Sequence, residues 1–382
     1  MYHSRVFVLA CLSVMPILFS CEKDKNSSTE ETVADSIVLD AEAVEVEVGK
    51  TVKITPTVTS ANSDVVLSWT STDVNVATVE GGVVTGVAKG EAIITASFAD
   101  VSAKCTVTVI APAEIGEGYA AMVLIHAADS SFMMGSPETE ANRTAYEPQH
   151  PVKFTKDFYM GKYEVTAALF AEYANAAGIT EDGKFANNEE ITGSKWTNAI
   201  YPSDKGCYCQ FNKETGKWEA TKGYENYPIG GISWFAANEY AKWKGGSLPT
   251  EAQWEYACRA GSTTAYPFGD DPALLSEYAW YITNADKAIQ EVGQLKPNAW
   301  GLYDMLGNTN EFCSDWFHKE YGLTDFTTVV VDPQGPEKAN QKVIRGGTVN
   351  YTEAKLRSAS RDWSSTSKHM ASLGFRIVMP VE

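Results

Sequence analysis

The stretch from Pro297 to Trp316, PNAWGLYDMLGNTNEFCSDW, places the tightest constraint on how this chain folds. Within it, Asp304, Gly307, Thr309 and Glu311 follow the spacing i, i+3, i+5 and i+7. Two carboxylates separated by turn-prone backbone carbonyls suit Ca²⁺, which takes about six to eight oxygen ligands, many of them from the main chain. We therefore predict a calcium site in which Asp304 and Glu311 supply charge, while Gly307 and Thr309 supply carbonyl oxygens.

A purely structural turn is the alternative interpretation of this stretch. In that case the Gly-Asn pair packs between aromatic residues, and Asp304 and Glu311 form ion pairs with arginines. The spacing alone favours this alternative, because short acidic motifs match metal-binding patterns by chance.

Two further segments accompany this stretch and identify a family resemblance. The upstream segment, Tyr227–Gly261, reads YPIGGISWFAANEYAKWKGGSLPTEAQWEYACRAG, and the downstream segment, Val343–Val378, contains VIRGGTVNYTEAKLRSASRDW and LGFRIV. Together with Pro297–Trp316 they resemble the formylglycine-generating enzyme, or sulfatase-modifying factor, family. The matches run from Phe132 to Val378, about two thirds of the chain. The resemblance implies a mixed α+β, loop-rich domain with a C-type-lectin-like fold, which we assign to residues 112–382.

Helices are predicted where a hydroxyl residue precedes an apolar pattern of helical period. The predicted helices are Ala167–Ala177 after Thr166, Trp234–Lys244 after Ser233, and Glu251–Arg259 after Thr250. Within the last of these, Glu255 and Arg259 stand at i and i+4, so we expect them to pair.

The family resemblance also implies a second calcium ion that uses an Asn at the position of Asn284. In the family, carbonyls near a following Asp complete that site, but Gly293 stands at the position of the Asp here. Asn284 is therefore the less favoured of the predicted calcium ligands.

The family's enzymes oxidise a substrate cysteine to formylglycine with copper held by two cysteines after an R-G-G-S motif. Copper of this kind needs soft thiolate ligands. Here the corresponding stretch, residues 345–357, reads RGGTVNYTEAKLR and contains no cysteine. We therefore expect no copper, assign no catalytic residue, and favour a non-catalytic role. The alternative is an oxidoreductase of the same type with displaced cysteines, for example Cys207 and Cys209.

The N-terminus has the features of a bacterial lipoprotein signal. Arg5 precedes an apolar run, and the sequence LFSC ending at Cys21 resembles a lipobox. We predict a signal peptide over residues 1–20, a lipid on Cys21, and a polar tether over residues 21–35. The lipid would anchor the protein to the bacterial outer membrane, on its periplasmic or cell-surface face. An ordinary cleaved signal with a chance cysteine is the alternative.

Residues 36–111 read as short strands with alternating apolar and polar residues, separated by Gly, Asn and Asp. The segment WTSTDVNVATVEGGVVTGVAKGEAIITA, which begins at Trp69, resembles the group 2 bacterial immunoglobulin-like domain. We expect an all-β immunoglobulin-like sandwich that acts as a spacer, with Trp69 and Cys105 in its core.

A polar insertion, residues 181–222, departs from the family's spacing and carries several aromatic residues. If Trp196, Tyr208 and Trp218 are exposed, they would form a stacking platform for a sugar or a partner protein. If they are buried, they fasten the insertion to the domain.

The formal net charge of −18 excludes nucleic acid as a partner, because phosphate binding requires basic patches. The sequence thus favours a lipid-anchored protein in which an immunoglobulin-like spacer presents a binding or assembly module. Its ligand would be an unknown protein or glycan.

Overall fold

The structure is a computed structural model that describes residues 36–59, 65–112, 114–195, 197–204 and 206–381. The predicted signal peptide, the tether and the lipid site at Cys21 lie outside the described residues, and so does Trp196. Within those described ranges, every helix falls short of the length and apolar character needed to cross a bilayer.

The N-terminal part consists of short strands, as the alternating pattern predicts. They are β1 (Ser36–Leu39), β2 (Ala43–Glu47), β3 (Thr51–Lys53), β4 (Pro56–Thr59), β5 (Ser68–Ser71), β6 (Ala77–Glu80), β7 (Val83–Gly86), β8 (Gly90–Phe98) and β9 (Val101–Ile110).

These strands form a four-stranded sheet in the order β2-β9-β8-β5, a three-stranded sheet in the order β3-β7-β6, and the pair β1-β4. Along β8, Ala92, Ile94 and Ala96 are buried while the residues between them are not, so one face of the sheet is apolar. Cys105 in β9 is fully buried in the same core, as predicted. Trp69 is half-buried against that core.

The C-terminal part combines strands, four helices and long irregular segments. The strands are β10 (Glu114–Ile115), β11 (Met122–Ile125), β12 (Ser131–Met134), β13 (His150–Lys153), β14 (Phe158–Gly161), β15 (Cys209–Asn212), β16 (Lys217–Ala220), β17 (Asn310–Trp316), β18 (Val330–Val331), β19 (Lys342–Arg345), β20 (Asp362–Ser364), β21 (Leu373–Gly374) and β22 (Val378–Pro380). The helices are α1 (Ala167–Ala176), α2 (Asn188–Thr192), α3 (Trp234–Trp243) and α4 (Glu251–Arg259), with 3₁₀ turns at Gly118–Ala120, Pro272–Glu277 and Glu353–Lys355.

The predicted helix starts are correct. Thr166, Ser233 and Thr250 each accept a backbone N–H of the first turn through the side-chain oxygen. Thr250 forms a full capping box with Gln253, which satisfies two otherwise unpaired donors at the start of α4. Helices α1 and α3 end one residue earlier than expected, at Ala176 and Trp243.

Strand β17 lies inside the C-terminal sheet with the order β20-β19-β17-β21. It pairs antiparallel with β19, where Glu311 faces Arg345, and parallel with β21, where Glu311 faces Gly374. Pro297–Trp316 therefore joins the downstream RGGT and LGFR segments in one sheet. A second sheet, β10-β11-β14-β22, and the hairpin-like set β12-β13-β18 surround it.

A buried ionic network ties α4 to this sheet. The carboxylate of Glu255 is fully buried and contacts Arg259 at 2.9 Å and Arg345 at 2.5 Å. Burial opposes the charge, but the two guanidinium groups outweigh it and lower the pKa of Glu255. Glu251 binds Arg361 through both carboxylate oxygens, at 2.5 and 2.7 Å.

The N-terminal strands contact the C-terminal part through His126, which directly follows β11. Its Nε2 lies 2.8 Å from Glu47 of β2, and its Nδ1 lies 3.3 Å from Asp157. Lys50 lies 3.4 Å from the same Asp157 carboxylate. One histidine thus contacts acidic groups on both parts of the chain.

Removing one charge of the buried network is expected to destabilise the protein strongly. Glu255→Gln keeps the volume but removes the counter-charge of Arg259 and the nearer of the two carboxylates at Arg345, which we expect to cost about 3–5 kcal/mol. The matched control is Glu239→Gln in α3, where the exposed pair with Lys242 is worth less than about 1 kcal/mol. Urea unfolding of both variants measures the difference, and equal effects would contradict the role of the network.

Candidate functional site

Glu311 lies at the centre of the predicted site and is fully buried. Arg376 of the LGFR segment holds its carboxylate through Nε at 2.8 Å and Nη2 at 2.7 Å. The indole N–H of Trp254 donates to the same carboxylate at 2.8 Å. Both oxygens of Glu311 therefore already have donors, and an arginine balances the charge. This arrangement matches the structural alternative for Glu311.

Asp304 is buried beside Glu311 but lacks such a partner. Its backbone has a positive φ of 55°, which turns the chain just before the Gly-Asn pair. Its Oδ2 accepts the N–H of Gly293 at 2.7 Å, whereas its Oδ1 is buried and has no hydrogen-bond partner among the described residues. Burial is the main reason that the pKa of Asp304 rises to about 6.

Glu164 is a third buried carboxylate at this place, and the sequence analysis missed it. Its Oε1 accepts the backbone N–H of Thr309 at 3.1 Å and the Thr309 hydroxyl at 2.5 Å. Its Oε2 accepts the side-chain amide of Asn308 at 2.8 Å. Burial first, and then Asp304 and Glu311, raise the pKa of Glu164. In the sequence, Glu164 could have been recognised as an acidic residue in a largely apolar segment just before the capped helix α1.

Taken together, three buried carboxylates share one guanidinium, that of Arg376. A cation would balance this excess of negative charge, and the unpartnered Oδ1 of Asp304 is the oxygen that fits one. Glu311 fits less well, because Arg376 and Trp254 occupy its oxygens. The described ranges contain no group of three or more His, Cys, Asp or Glu side chains arranged to hold a metal ion. A calcium ion here would therefore depend on backbone carbonyls.

The other predicted calcium ligands have the following positions. Gly307 has a φ of 77°, its N–H donates to Gly346 at 2.9 Å, and a Cβ at this position would lie 2.2 Å from the Trp280 carbonyl oxygen. Only glycine fits there. Thr309 is fully buried against Glu164. The side chain of Asn284 stabilises a local turn, because its Oδ1 accepts the Tyr281 N–H at 2.9 Å.

A shallow groove lies at the two glycines that come directly after β19. Gly346 and Gly347 both have positive φ, and the Gly347 N–H donates to the side chain of Asn310 at 3.1 Å. Across the groove, the Tyr351 hydroxyl donates to Asp362 at 3.1 Å. The full lining is Asn310, Ile344, Arg345, Gly346, Gly347, Tyr351, Lys355, Ser360, Arg361 and Asp362. This groove contains the stretch where the family resemblance locates the copper-binding cysteines.

A cluster of tyrosines packs against Val349, which follows Gly347 by two positions. Tyr208 stacks on Tyr224 with the ring centroids 4.4 Å apart, and Tyr227 contacts both rings. Tyr208 and Tyr227 pack on the small apolar cluster that contains Val349. We call Tyr208, Tyr224 and Tyr227 the tyrosine face. Of these residues the sequence analysis named only Tyr208.

Trp218 lies inside the core rather than on the surface. Its side chain is 2% exposed, and its indole N–H donates to the Ile179 carbonyl at 2.9 Å. Its backbone N–H is bound by Asn175 of α1 at 2.8 Å. Trp218 therefore fastens the insertion to the domain and offers no contact to a ligand, which corrects the interpretation of this residue as a platform aromatic.

The cysteines of the C-terminal part are free thiols and are buried. They are Cys207, Cys209, Cys258 and Cys313. Burial raises the pKa of Cys207 and of Cys258 to about 12, and it also raises the pKa of Cys209 and Cys313. Because the thiolate is the form that binds metals and reacts, these four positions favour unreactive structural thiols.

The mixed sheets, capped helices and long irregular segments define a domain with the C-type-lectin-like fold. The chain belongs to the sulfatase-modifying factor enzyme 1-like domain family, which matches residues 108–381. The match begins inside β9 and includes all of the C-terminal elements described above.

Relatives of this chain have different overall architectures. It is 27% identical over 294 residues to the formylglycine-generating enzyme of Thermomonospora curvata, which covers 69% of this chain and 94% of that protein. It is 30% identical over 260 residues to the serine/threonine-protein kinase pkn1 of Chlamydia pneumoniae, covering 67% of this chain but only 37% of that protein. Among solved structures, PvdO from Pseudomonas aeruginosa matches with a TM-score of 0.53 and 25% identity, over 68% of this chain and 94% of that one.

Calcium at this site remains a prediction, and Asp304 is the residue that tests it. Saturating calcium, at about 100 times its dissociation constant, should stabilise the parent protein by about 2–3 kcal/mol. Asp304→Asn should lose most of this gain and match the parent in chelator, because it removes the carboxylate oxygen that has no partner. Glu311→Gln should lower the melting temperature in both conditions, since it breaks the contact with Arg376. Thermal unfolding with calcium or chelator measures all three, and an equal calcium response of Asp304→Asn and the parent would contradict the site.

Proposed function

We propose that this protein is a lipid-anchored bacterial protein whose sulfatase-modifying-factor-like domain binds a protein or glycan ligand without redox catalysis. One observation carries the proposal. The groove beside Gly346 and Gly347 presents Tyr351, Lys355 and Asp362, and the stretch of residues 345–357 has no cysteine. Such a groove can donate and accept hydrogen bonds, but it supplies no thiolate for copper.

The surroundings of the groove support a binding role. The tyrosine face provides large, partly exposed rings that pack near Val349, in the segment after the groove glycines, and Tyr224 is 38% exposed. Aromatic rings of this kind stack on sugars or on apolar side chains of a partner protein. Polar groups at the groove would then fix the orientation of the bound molecule.

Formylglycine formation is the second candidate function, because relatives with that name are 26–30% identical to this chain. It would require cysteines at other positions, and Cys207 and Cys209 are the two that lie closest to each other in the sequence. Both are buried, at 3% and 0% exposure, and burial raises both pKa values. These observations favour the binding role.

The N-terminal strands support the remaining part of the proposal, an immunoglobulin-like spacer between the membrane and the binding domain. They alternate buried and exposed positions, and their buried side chains belong to an apolar core that continues into the C-terminal part. The lipid on Cys21, the tether and the outer-membrane location rest on the sequence pattern alone.

An oxidation assay distinguishes the two candidate functions. The purified protein is supplied with Cu⁺, oxygen and a cysteine-containing peptide, and the aldehyde product is measured by mass spectrometry. We expect no product above that of a reaction without protein, while the formylglycine-generating enzyme of Thermomonospora curvata serves as the positive control. Product formed by the parent but not by a Cys207→Ser, Cys209→Ser variant would overturn the binding proposal.

Lipid attachment is tested separately in bacterial cells that express the full chain. Metabolic labelling with an alkyne fatty acid should mark the parent and leave Cys21→Ser unlabelled, because only the Cys21 thiol accepts the lipid. Cys105→Ser is the matched control and should remain labelled. Equal labelling of the parent and Cys21→Ser would rule out the predicted anchor.

A further inference from the structure

A separate apolar cavity of about 150 Å³ lies beside the sheet β10-β11-β14-β22. Its walls come from the chain that enters the C-terminal part, from the end of β14, and from helices α1 and α3. The lining residues are Gly116, Tyr119, Ala120, Ala121, Met122, Gly161, Tyr163, Val165, Leu169, Tyr240, Lys244, Ile377 and Met379. It shares no lining residue with the groove at Gly346 and Gly347.

The volume and the apolar walls of this cavity limit the size of the apolar group that a ligand can place in it. A cavity of this volume with apolar walls holds a molecule of about the size of benzene. Met122, Val165 and Leu169 form one part of the wall, and Ile377 and Met379 form another. Apolar surface of this kind stabilises a bound ring or a short branched alkyl group by removing it from water.

The Tyr119 hydroxyl of the cavity donates to Glu291 at 3.0 Å, whereas the other polar side chains of the lining have no such acceptor in the described chain. Within the described chain, the hydroxyls of Tyr163 and Tyr240 make no hydrogen bond, although Tyr240 is only 2% exposed. Lys244 has no carboxylate partner in that same part of the chain, and its ammonium lies 4.7 Å from the centroid of the Trp243 ring. These hydroxyls are open to the cavity and can each donate a hydrogen bond, so they favour a ligand that accepts hydrogen bonds.

The charge of the lining selects the kind of acceptor. No Asp or Glu of the described chain lines the cavity, and Lys244 is its one charged lining residue. A carboxylate offers two charged acceptor oxygens, and charge-assisted hydrogen bonds are stronger than neutral ones. A neutral alcohol of the same shape would gain only the apolar contacts and a weaker hydrogen bond.

We propose that this cavity binds a small monocarboxylate with an aromatic ring or a short branched alkyl body. The body packs against Met122, Leu169 and Ile377, and the carboxylate accepts from Lys244 and from the tyrosine hydroxyls. This site is independent of the proposed function of the groove, because the two share no residue.

Phenylacetate is the probe, and 2-phenylethanol is its neutral counterpart of similar shape. Isothermal titration calorimetry on the purified protein should give one phenylacetate per chain, bound about tenfold more tightly than 2-phenylethanol. Lys244→Met should abolish this preference while retaining weak binding of both molecules. Tyr240→Phe should weaken phenylacetate binding about threefold, because it removes one donor.

Two further variants keep the test decisive. Lys242→Met lies on the same helix but does not line the cavity, so its affinity for phenylacetate should equal that of the parent. Leu169→Trp fills the cavity and should abolish the binding of both probes, with folding checked by the melting temperature. Absence of phenylacetate binding at millimolar concentration would overturn the proposal. So would unchanged binding by Lys244→Met, or equal affinities for the two probes.

Discussion

The contact between Glu311 and Arg376 is the interaction on which the rest of the C-terminal structure depends. Glu311 lies in β17, a strand paired on both sides, and Arg376 follows β21, the neighbouring strand. Such a pair repays its desolvation only if further hydrogen bonds complete it. Trp254 of α4 provides one at 2.8 Å, the carbonyl of Gly161 accepts from Nη1 of Arg376, and the carbonyl of Tyr303 accepts from Nη2, which also donates to Glu311. One ion pair thereby contacts helix α4, the sheet that contains β17, the end of β14 and the loop at Tyr303.

The same interior holds the fold independently of the partly exposed rings of the tyrosine face. The apolar core and the buried ionic networks lie beneath the surface loops. Tyr208, Tyr224 and Tyr351 lie in the segments above them, where a substitution changes contacts with a ligand more than stability. A family whose members include an enzyme and part of a kinase fits this separation of scaffold and surface.

Local patterns predicted much of this structure, whereas contacts between distant segments stayed hidden. A cap depends on residues three positions apart, so Thr166, Ser233 and Thr250 could be assigned from the sequence alone. Glu164 contacts Thr309 across 145 positions, and no spacing rule reveals such a contact. Trp218 was ambiguous for the same reason, because its burial depends on α1. The cavity at Tyr240 also assembles residues from distant parts of the chain.

The position of His126 has a mechanical consequence. Its imidazole contacts Glu47 of the N-terminal strands and Asp157 of the C-terminal part, and Lys50 contacts Asp157 as well. Tension applied to the N-terminal strands is therefore carried into the C-terminal part by side chains as well as by the connecting backbone. These polar contacts add to the apolar core that the two parts share.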